Sequence, residues 1–384
     1  MELKDRVLKF IVLMGLVSLF GDMIYEGVRG ISGIYLQSLG ASMMVVSITA
    51  GLGEFLGYSV RLISGTLVDR LKAYWFFTFL GYGFLIFIPL LAFVDSLELA
   101  VLFILLERFG KGLRTPARDT IVSFVSQKVG RGVSFGIIKF FDQFGSIIGP
   151  LIFLISYSLF HNYKVGFSAM FIPFAMVVIS LFMARKMFPN PEKLETPTLI
   201  ENSNRIFYVY ILFTFFSIVS MPNYQVISYF FKLSGVLNNE QIMVFYMLAM
   251  FFEMVVAIVI GKTYDIYKFK ILTFLPVVTF LLVIFSFNGY FYTAIISVLL
   301  YGTVLAIHES VMRSAVADLT KVSKRGFSYG IFTFIFGLGY FLGNVTIGFL
   351  SNKGYVYVVI FSGLTQFISL LLLIYLFQLT KKKA

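Results

Sequence analysis

The sequence predicts an all-α integral membrane protein of twelve transmembrane helices in two six-helix bundles. Three observations predict it: composition, the length of the apolar runs, and an internal repeat. Of 384 residues, 59% are hydrophobic and 13% charged, and the mean hydropathy is +0.92. A soluble domain carries roughly 45–50% apolar and about 25% charged residues. A compact water-soluble enzyme could not hide this much apolar surface. The apolar runs reach the ~20 residues that a helix needs to cross hydrocarbon. They do not alternate with period two, which excludes a barrel. The net charge is +12, but the basic residues lie between apolar runs and form no patch for nucleic acid. No cysteine is present, so disulfides, thiolate nucleophiles and Cys-ligated metals are excluded. The two histidines, His161 and His308, argue against a multi-His metal centre, and no cofactor is expected.

Twelve segments read as spans: about 7–37, 42–70, 73–94, 97–125, 132–159, 164–187, 205–232, 239–266, 270–287, 290–319, 326–350 and 355–379. Little chain is left for loops, so no soluble catalytic domain is expected. Lys4, Arg6 and Lys9 precede the first run as in a signal peptide. No small-residue cleavage site follows, however, and the run is read as a retained first span. Most of the 31 Lys and Arg fall at helix ends and loops of one side. Only Lys164, Lys232 and Lys353 fall on the other. Both termini are therefore expected in the cytoplasm. Pro189 to Asn204, with three prolines and three glutamates, reads as a cytoplasmic linker. The expected division is a bundle at 1–187, a linker at 188–204 and a second bundle at 205–384.

Three signatures occur twice in the same order. Gly65-Thr66-Leu67-Val68-Asp69-Arg70 ends the second helix, and Gly261-Lys262-Thr263-Tyr264-Asp265 ends the eighth. Arg114-Thr115-Pro116-Ala117-Arg118-Asp119 ends the fourth, and Arg313-Ser314-Ala315-Val316-Ala317-Asp318 ends the tenth. The fifth begins Arg131-Gly132-Val133-Ser134-Phe135-Gly136 and continues to Gly145 and Gly149. The eleventh begins Arg325-Gly326-Phe327-Ser328-Tyr329-Gly330 and continues to Gly339 and Gly343. The halves are read as a parallel repeat related by a pseudo-two-fold axis.

These residues resemble the major facilitator superfamily of transporters over the whole chain. Gly65-x-x-x-Asp69-Arg70 looks like the family's loop motif, though Leu71-Lys72-Ala73-Tyr74 replaces its glycine and basic cluster. Arg108-x-x-Lys111-Gly112 is similar to its fourth-helix motif. Gly145-x-x-x-Gly149-Pro150 looks like its exchanger motif, with Ile152 and Phe153 where two further glycines are usual. Gly21-Asp22-Met23-Ile24-Tyr25-Glu26-Gly27 looks like a prokaryotic branch of unknown substrate, which implies the cytoplasmic membrane of a prokaryote. The resemblance implies the major facilitator fold, with helices 1, 4, 7 and 10 lining a central cavity. It also implies a cytoplasmic gate at Asp69 and Asp265, where an acid can cap the next helix or pair with Arg118 or Lys128. Ordinary solvated helix ends are the blander reading. Arg114 with Asp119, and Arg313 with Asp318, are candidate latches or plain positive-inside decoration. The glycines of helices 5 and 11 read as packing surfaces, with a bend at Pro150.

Charges inside spans are the more informative group, because a charge at the bilayer centre costs at least ~2.5–3.5 kcal/mol on insertion scales. The acids are Asp22, Glu26, Glu54, Glu107, Asp142, Glu253 and Glu309. The bases are Arg29, Arg61, Arg108, Lys111 and Lys139. Asp22, Glu26 and Arg29 share one stripe of helix 1, as do Glu107, Lys111 and Arg114 on helix 4. Neutralising pairs such as Asp22 with Arg108 and Glu54 with Lys139 are one reading. The other is a proton site: burial and nearby cations shift a carboxyl in opposite directions, so a cavity that opens alternately can load and unload it. Asp22, Glu26 and Glu107 are the candidates, with Arg108 and Lys111 as perturbing cations. The second half offers Asn223, Tyr224, Gln225, Tyr229, Tyr301, His308 and Glu309, neutral and aromatic by comparison. His308 is equally a hydrogen-bonded core histidine.

The expected function is secondary transport of a small organic solute by alternating access, proton-coupled, with export by antiport ahead of uptake. A monomer suffices. The rivals are organic-anion uptake or uniport, favoured by Arg29, Arg108 and Lys111, and more distantly a lipid flippase. No Walker-type phosphate loop is present, and no catalytic constellation of an enzyme is recognisable.

Overall fold

In the computed structural model, residues 3–125, 131–191, 205–312, 315–316 and 325–381 are described. Most of the expected linker, residues 192–204, lies outside them. All regular elements among the described residues are helical. In chain order they are α1 Leu3–Ser38, α2 Met43–Leu71, α3 Tyr74–Phe93, α4 Leu97–Val125, α5 Arg131–Phe160 and α6 Tyr163–Met187. A broken α7 follows, in two pieces, Arg205–Ile218 and Tyr224–Leu233. Then come α8 Asn239–Tyr267, α9 Phe274–Ser286, α10 Phe291–Ala306, α11 Arg325–Ser351 and α12 Tyr355–Lys381. Helix α3 tightens into 3₁₀ turns beyond Gly83, and α10 runs on into a π-helical turn, Ile307–Val311. Among the described residues nine helices are long and apolar enough to cross a membrane, and Ile206–Ile218 and Lys270–Ser286 are shorter apolar stretches. Helix α4 is long but carries several charged residues.

Local chemistry sets the helix boundaries. Asn162 caps α6, its Oδ1 accepting from Lys164 N at 2.8 Å. At the start of α8, Asn238 Oδ1 accepts from Gln241 N at 2.7 Å while Gln241 Oε1 accepts from Asn238 N at 2.9 Å. That reciprocal pair satisfies two donors that a helix start leaves open. The turn between α1 and α2 passes through Gly40 at φ +88°, a conformation that a Cβ disfavours.

The chain groups into two compact units, Met1–Leu39 with Ser59–Pro197, and Gly40–Tyr58 with Thr198–Ala384. Helix α2 is thus divided at Tyr58. Its first half packs on α11 in the second unit. A Cβ on Gly51 would stand 3.0 Å from Phe341 Cα, and the Phe55 ring stacks on Phe341 at 5.7 Å. Its second half packs on α4 in the first unit, where Ser64 Oγ donates to Gly112 O at 2.9 Å.

Within each unit, helices meet at glycines, because lipid supplies no hydrophobic drive and close backbone contact must supply the attraction. In the first unit α5 rests on α1 at Gly145 and Gly149. A Cβ at Gly145 would lie 3.1 Å from Met23 N, and one at Gly149 2.9 Å from Gly27 N. Pro150 follows within the same helix. In the second unit α11 rests on the first piece of α7 at Gly339 and on the break at Gly343, where a Cβ would be 2.6 Å from the Val219 carbonyl carbon. Ser286 and Ser297 join α9 to α10 through hydroxyls 2.7 Å apart.

Gly149→Leu and Gly343→Leu drive a side chain into backbone and should each cost at least about 1–3 kcal/mol. A thermal melt in detergent would show a lowered Tm or loss of folded protein. Gly83→Ala, where an added Cβ meets nothing within 4 Å, should leave the Tm unchanged or raise it slightly.

Candidate functional site

The first unit holds a buried cluster of charges on α1 and α4, closed by α5. Its organising group is Tyr25, 2% exposed. The Lys111 Nζ stands 3.0 Å from the centroid of its ring, and the Arg108 guanidinium 4.0 Å from it. A ring quadrupole attracts cations most strongly where water is absent. Around this pair, Glu26 accepts from Arg29 Nη1 at 3.5 Å. Glu107 accepts from Arg114 Nη2 at 3.3 Å and lies 3.9 Å from Arg108 Nε. The charged groups that act on Asp22 are Asp142, Lys111, Glu26 and Arg118. Asp142 Oδ1 is buried and has no hydrogen-bond partner among the described residues. Gly145 keeps α1 and α5 close at this point, since a Cβ there would be 3.0 Å from Asp22 Cβ.

The three candidate acids therefore have different surroundings. Glu107 is 1% exposed and bridges two arginines. Glu26 has Arg29 one turn along its own helix. Asp22 is acted on by a second carboxylate and a lysine. Glu54, 8% exposed, lies on the half of α2 that belongs to the second unit. Lys139 is exposed.

The expected gate residues divide similarly. Arg114 is 4% exposed and lies inside the bundle, reaching Gly81 O at 3.4 Å and the Tyr82 ring at 4.9 Å. Its partner is Glu107, on the same face of α4, and not Asp119. Asp119 instead pairs with Arg118 at 2.9 Å, and Arg118 also donates to Ser18 Oγ at 2.8 Å. Arg70 is exposed at the end of α2. The side chains of Asp69 and Asp265, and all of Lys128, Arg313 and Asp318, lie outside the described set.

The second unit holds a neutral polar strip beside the break in α7. His308 lies in the π-helical turn, 1% exposed, with Nε2 3.5 Å from Ser217 Oγ and its ring edge-on to Phe336 at 5.3 Å. An i→i+5 turn inserts one residue and re-aims the side chains that follow; such turns recur at functional sites. Phe336, Tyr340 and Asn344 recur at the four-residue helical spacing and place one face of α11 against α7. Asn344 Oδ1 accepts from Asn223 N at 2.8 Å, and its Nδ2 donates to Tyr340 O at 2.9 Å. Gln366 Nε2 donates to Ser220 Oγ at 2.8 Å. The Asn223 amide and Gln225 Oε1 have no partner among the described residues. Glu309, beside His308, is half-buried, and the Glu253 side chain is buried on α8.

Sequence reasoning passed over Tyr25, Ser217, Asn344 and Gln366. It weighed formal charges first and, among neutral polar groups, singled out those of the seventh and tenth helices such as Asn223 and Gln225. The legible signal was an asparagine or glutamine in an otherwise apolar helix, which needs a partner wherever lipid excludes water.

Apolar helices of membrane-spanning length with ionised side chains buried among them fit an integral membrane protein. The family model described as Major Facilitator Superfamily matches residues 11–304, and the chain belongs to that family. An uncharacterized protein of Mycobacterium tuberculosis is 32% identical over 353 residues, covering 89% of this chain and 86% of its own. An uncharacterized MFS-type transporter of Methanocaldococcus jannaschii is 27% identical over 360 residues, covering 90% and 89%. Among solved structures, the nucleoside transporter NupG superposes with TM-score 0.76 at 14% identity, over 96% of this chain and all of its own. A peptide transporter superposes with TM-score 0.77 at 12% identity, over 100% and 98%. The fold is that of a major facilitator, and the protein is an integral membrane transporter.

Glu107→Gln leaves Arg114 short of its counter-charge in the bundle interior. Breaking a buried pair on one side typically costs about 3–5 kcal/mol. A double-mutant cycle of Glu107→Gln with Arg114→Gln, read by thermal melts, should show a coupling energy above about 1 kcal/mol. Strictly additive losses would mean the pair contributes nothing.

Proposed function

We propose that the protein is a proton-coupled secondary transporter of a small organic solute. It works by alternating access in the cytoplasmic membrane of a prokaryote, as a monomer with both termini in the cytoplasm. Export in exchange for protons is the favoured direction, supported by the Gly145-x-x-x-Gly149-Pro150 segment of α5, which lies against α1 at Asp22.

One observation carries the coupling. Asp22 lies among Asp142, Lys111, Glu26 and Arg118, whereas Glu26 and Glu107 face arginines directly. A carboxyl between a second carboxyl and a lysine exchanges its proton when either neighbour moves or water enters, because like and opposite charges act on it in opposite directions. Glu26 and Glu107, each paired with an arginine, serve as scaffold in this reading. Asp22 is thus the proton carrier, Asp142 and Lys111 set its proton exchange, and Tyr25 holds Lys111 within reach.

A second reading, uptake of an organic anion, is favoured by Lys111 and Arg108 on the Tyr25 ring. These cations would then meet a substrate carboxylate or phosphate. Proteoliposomes with a trapped pH dye separate the two. Solutes that the protein moves should drive a proton current in the wild type. Asp22→Asn should abolish that current while leaving solute exchange across the membrane intact. Solute flux with no proton movement in the wild type would reject coupling.

A further inference from the structure

The seventh span stops at Ile218 and restarts at Tyr224, in a region where lipid cannot satisfy freed backbone groups. Asn344 supplies much of the repair. Its Oδ1 accepts from Asn223 N at 2.8 Å and its Nδ2 reaches Met221 O at 3.4 Å. Asn223 itself occupies the capping position of the second piece, with φ −67° and ψ 152°, yet its side chain makes no capping bond. Asparagine is among the residues best suited to make one. Its Oδ1 and Nδ2 both lack a partner among the described residues, although the residue is 0% exposed. Two residues on, Gln225 Oε1 is in the same state at 5% exposure.

Buried amides left without partners are costly and rare. Single buried amide atoms without a partner among the described residues occur elsewhere too, at Gln37 Oε1 and Gln366 Oε1. Three of them at one helix start, beside a break that another side chain is spent on holding, indicate a ligand. The groups that bond to the break are neutral: Asn344, Gln366, Ser362 and Tyr340, the last with Oη 3.3 Å from Met221 Sδ. A charged ligand group would lose its hydration here and meet no counter-ion from them. The start of the second piece carries partial positive charge and favours an acceptor atom.

We propose that the break in α7 recognises the substrate, and that it takes an uncharged group with a carbonyl beside an N–H, the edge of an amide or lactam. The ligand carbonyl accepts from Asn223 Nδ2 and its N–H donates to Asn223 Oδ1. Gln225 Oε1 accepts a further donor. Tyr224 follows Asn223 directly, and its ring stands 4.6 Å from Tyr246 and 5.8 Å from Tyr301, so a planar probe is chosen for the test. This inference rests on the reading of the chain as an organic-solute transporter and names the substrate's chemistry.

The test is binding by the full chain in nanodiscs, read by thermal shift, with 2-pyridone and nicotinamide as probes. Benzoate, planar but anionic, and toluene, planar without polar atoms, are the controls. The two amide probes should raise the Tm by about 2–4 °C at saturation, and the controls should not. Asn223→Leu and Gln225→Met should lose the response, while Lys164→Gln at the surface keeps it. Where Asn223→Leu does not fold, Asn223→Asp, which replaces the donor with an ionisable oxygen, should weaken 2-pyridone at least tenfold. Equal affinity in Asn223→Asp, or no response of the wild type to either probe, would overturn the proposal and leave the amide to water. Proton movement does not enter the thermal shift, so a protein that binds the probes without moving protons loses only its coupling. Probe binding without flux of any solute would instead count against transport.

Discussion

Placing an ionised group in hydrocarbon is so costly that its surroundings must be built for it, and the first unit is organised by that requirement. Helix α4 carries Glu107, Arg108, Lys111 and Arg114 along its inward side. None of these could face acyl chains. Glu107 takes two arginines, and the Tyr25 ring takes Arg108 and Lys111. Two helices are fixed in rotation as a result. Helix α4 is oriented by what its charges must meet, and α1 by having to present Tyr25, Asp22 and Glu26 to them.

The glycines follow from the same requirement. A buried charge is neutralised only by groups that come near it, and α5 brings Asp142 beside Asp22 because Gly145 and Gly149 let its backbone rest on that of α1. Packing and electrostatics are thus one arrangement in this region. The second unit uses small residues for a different purpose. Gly343 lets α11 press on Val219 where α7 comes apart, and Asn344, next along α11, supplies the hydrogen bonds that the broken helix gave up. Among the described residues, ion pairs and cation–π contacts mark the first unit around Tyr25, and amides, hydroxyls and tyrosines mark the second around the break in α7.

This division suits a carrier. Charged clusters respond to protons and to water entering, and neutral hydrogen-bonding sites discriminate by shape and by donor–acceptor order. Under the proposed function, the driving ion and the cargo would be recognised by different chemistry. Exposed aromatic and aliphatic side chains such as Phe76, Ile172 and Leu364 are what a lipid-facing surface needs, and they carry no further message.

The sequence by itself determined the membrane class, the helical architecture, the repeat and the stretches that hold charges. Each follows from one-dimensional regularities: run length against bilayer thickness, periodicity, and the rarity of Asp, Glu, Lys and Arg in apolar runs. Only the tertiary structure decided which charge meets which. The spacing of Arg114 and Asp119 suggested a pair, yet Arg114 turns to Glu107 and Asp119 to Arg118, because helical geometry puts residues seven apart on one face and residues five apart on different ones. The division of α2, the break in α7 mended by Asn344, and the role of Tyr25 were also beyond the sequence. A neutral side chain in an apolar run gains its meaning from the partner that another helix brings to it, and that partner is set by three-dimensional packing.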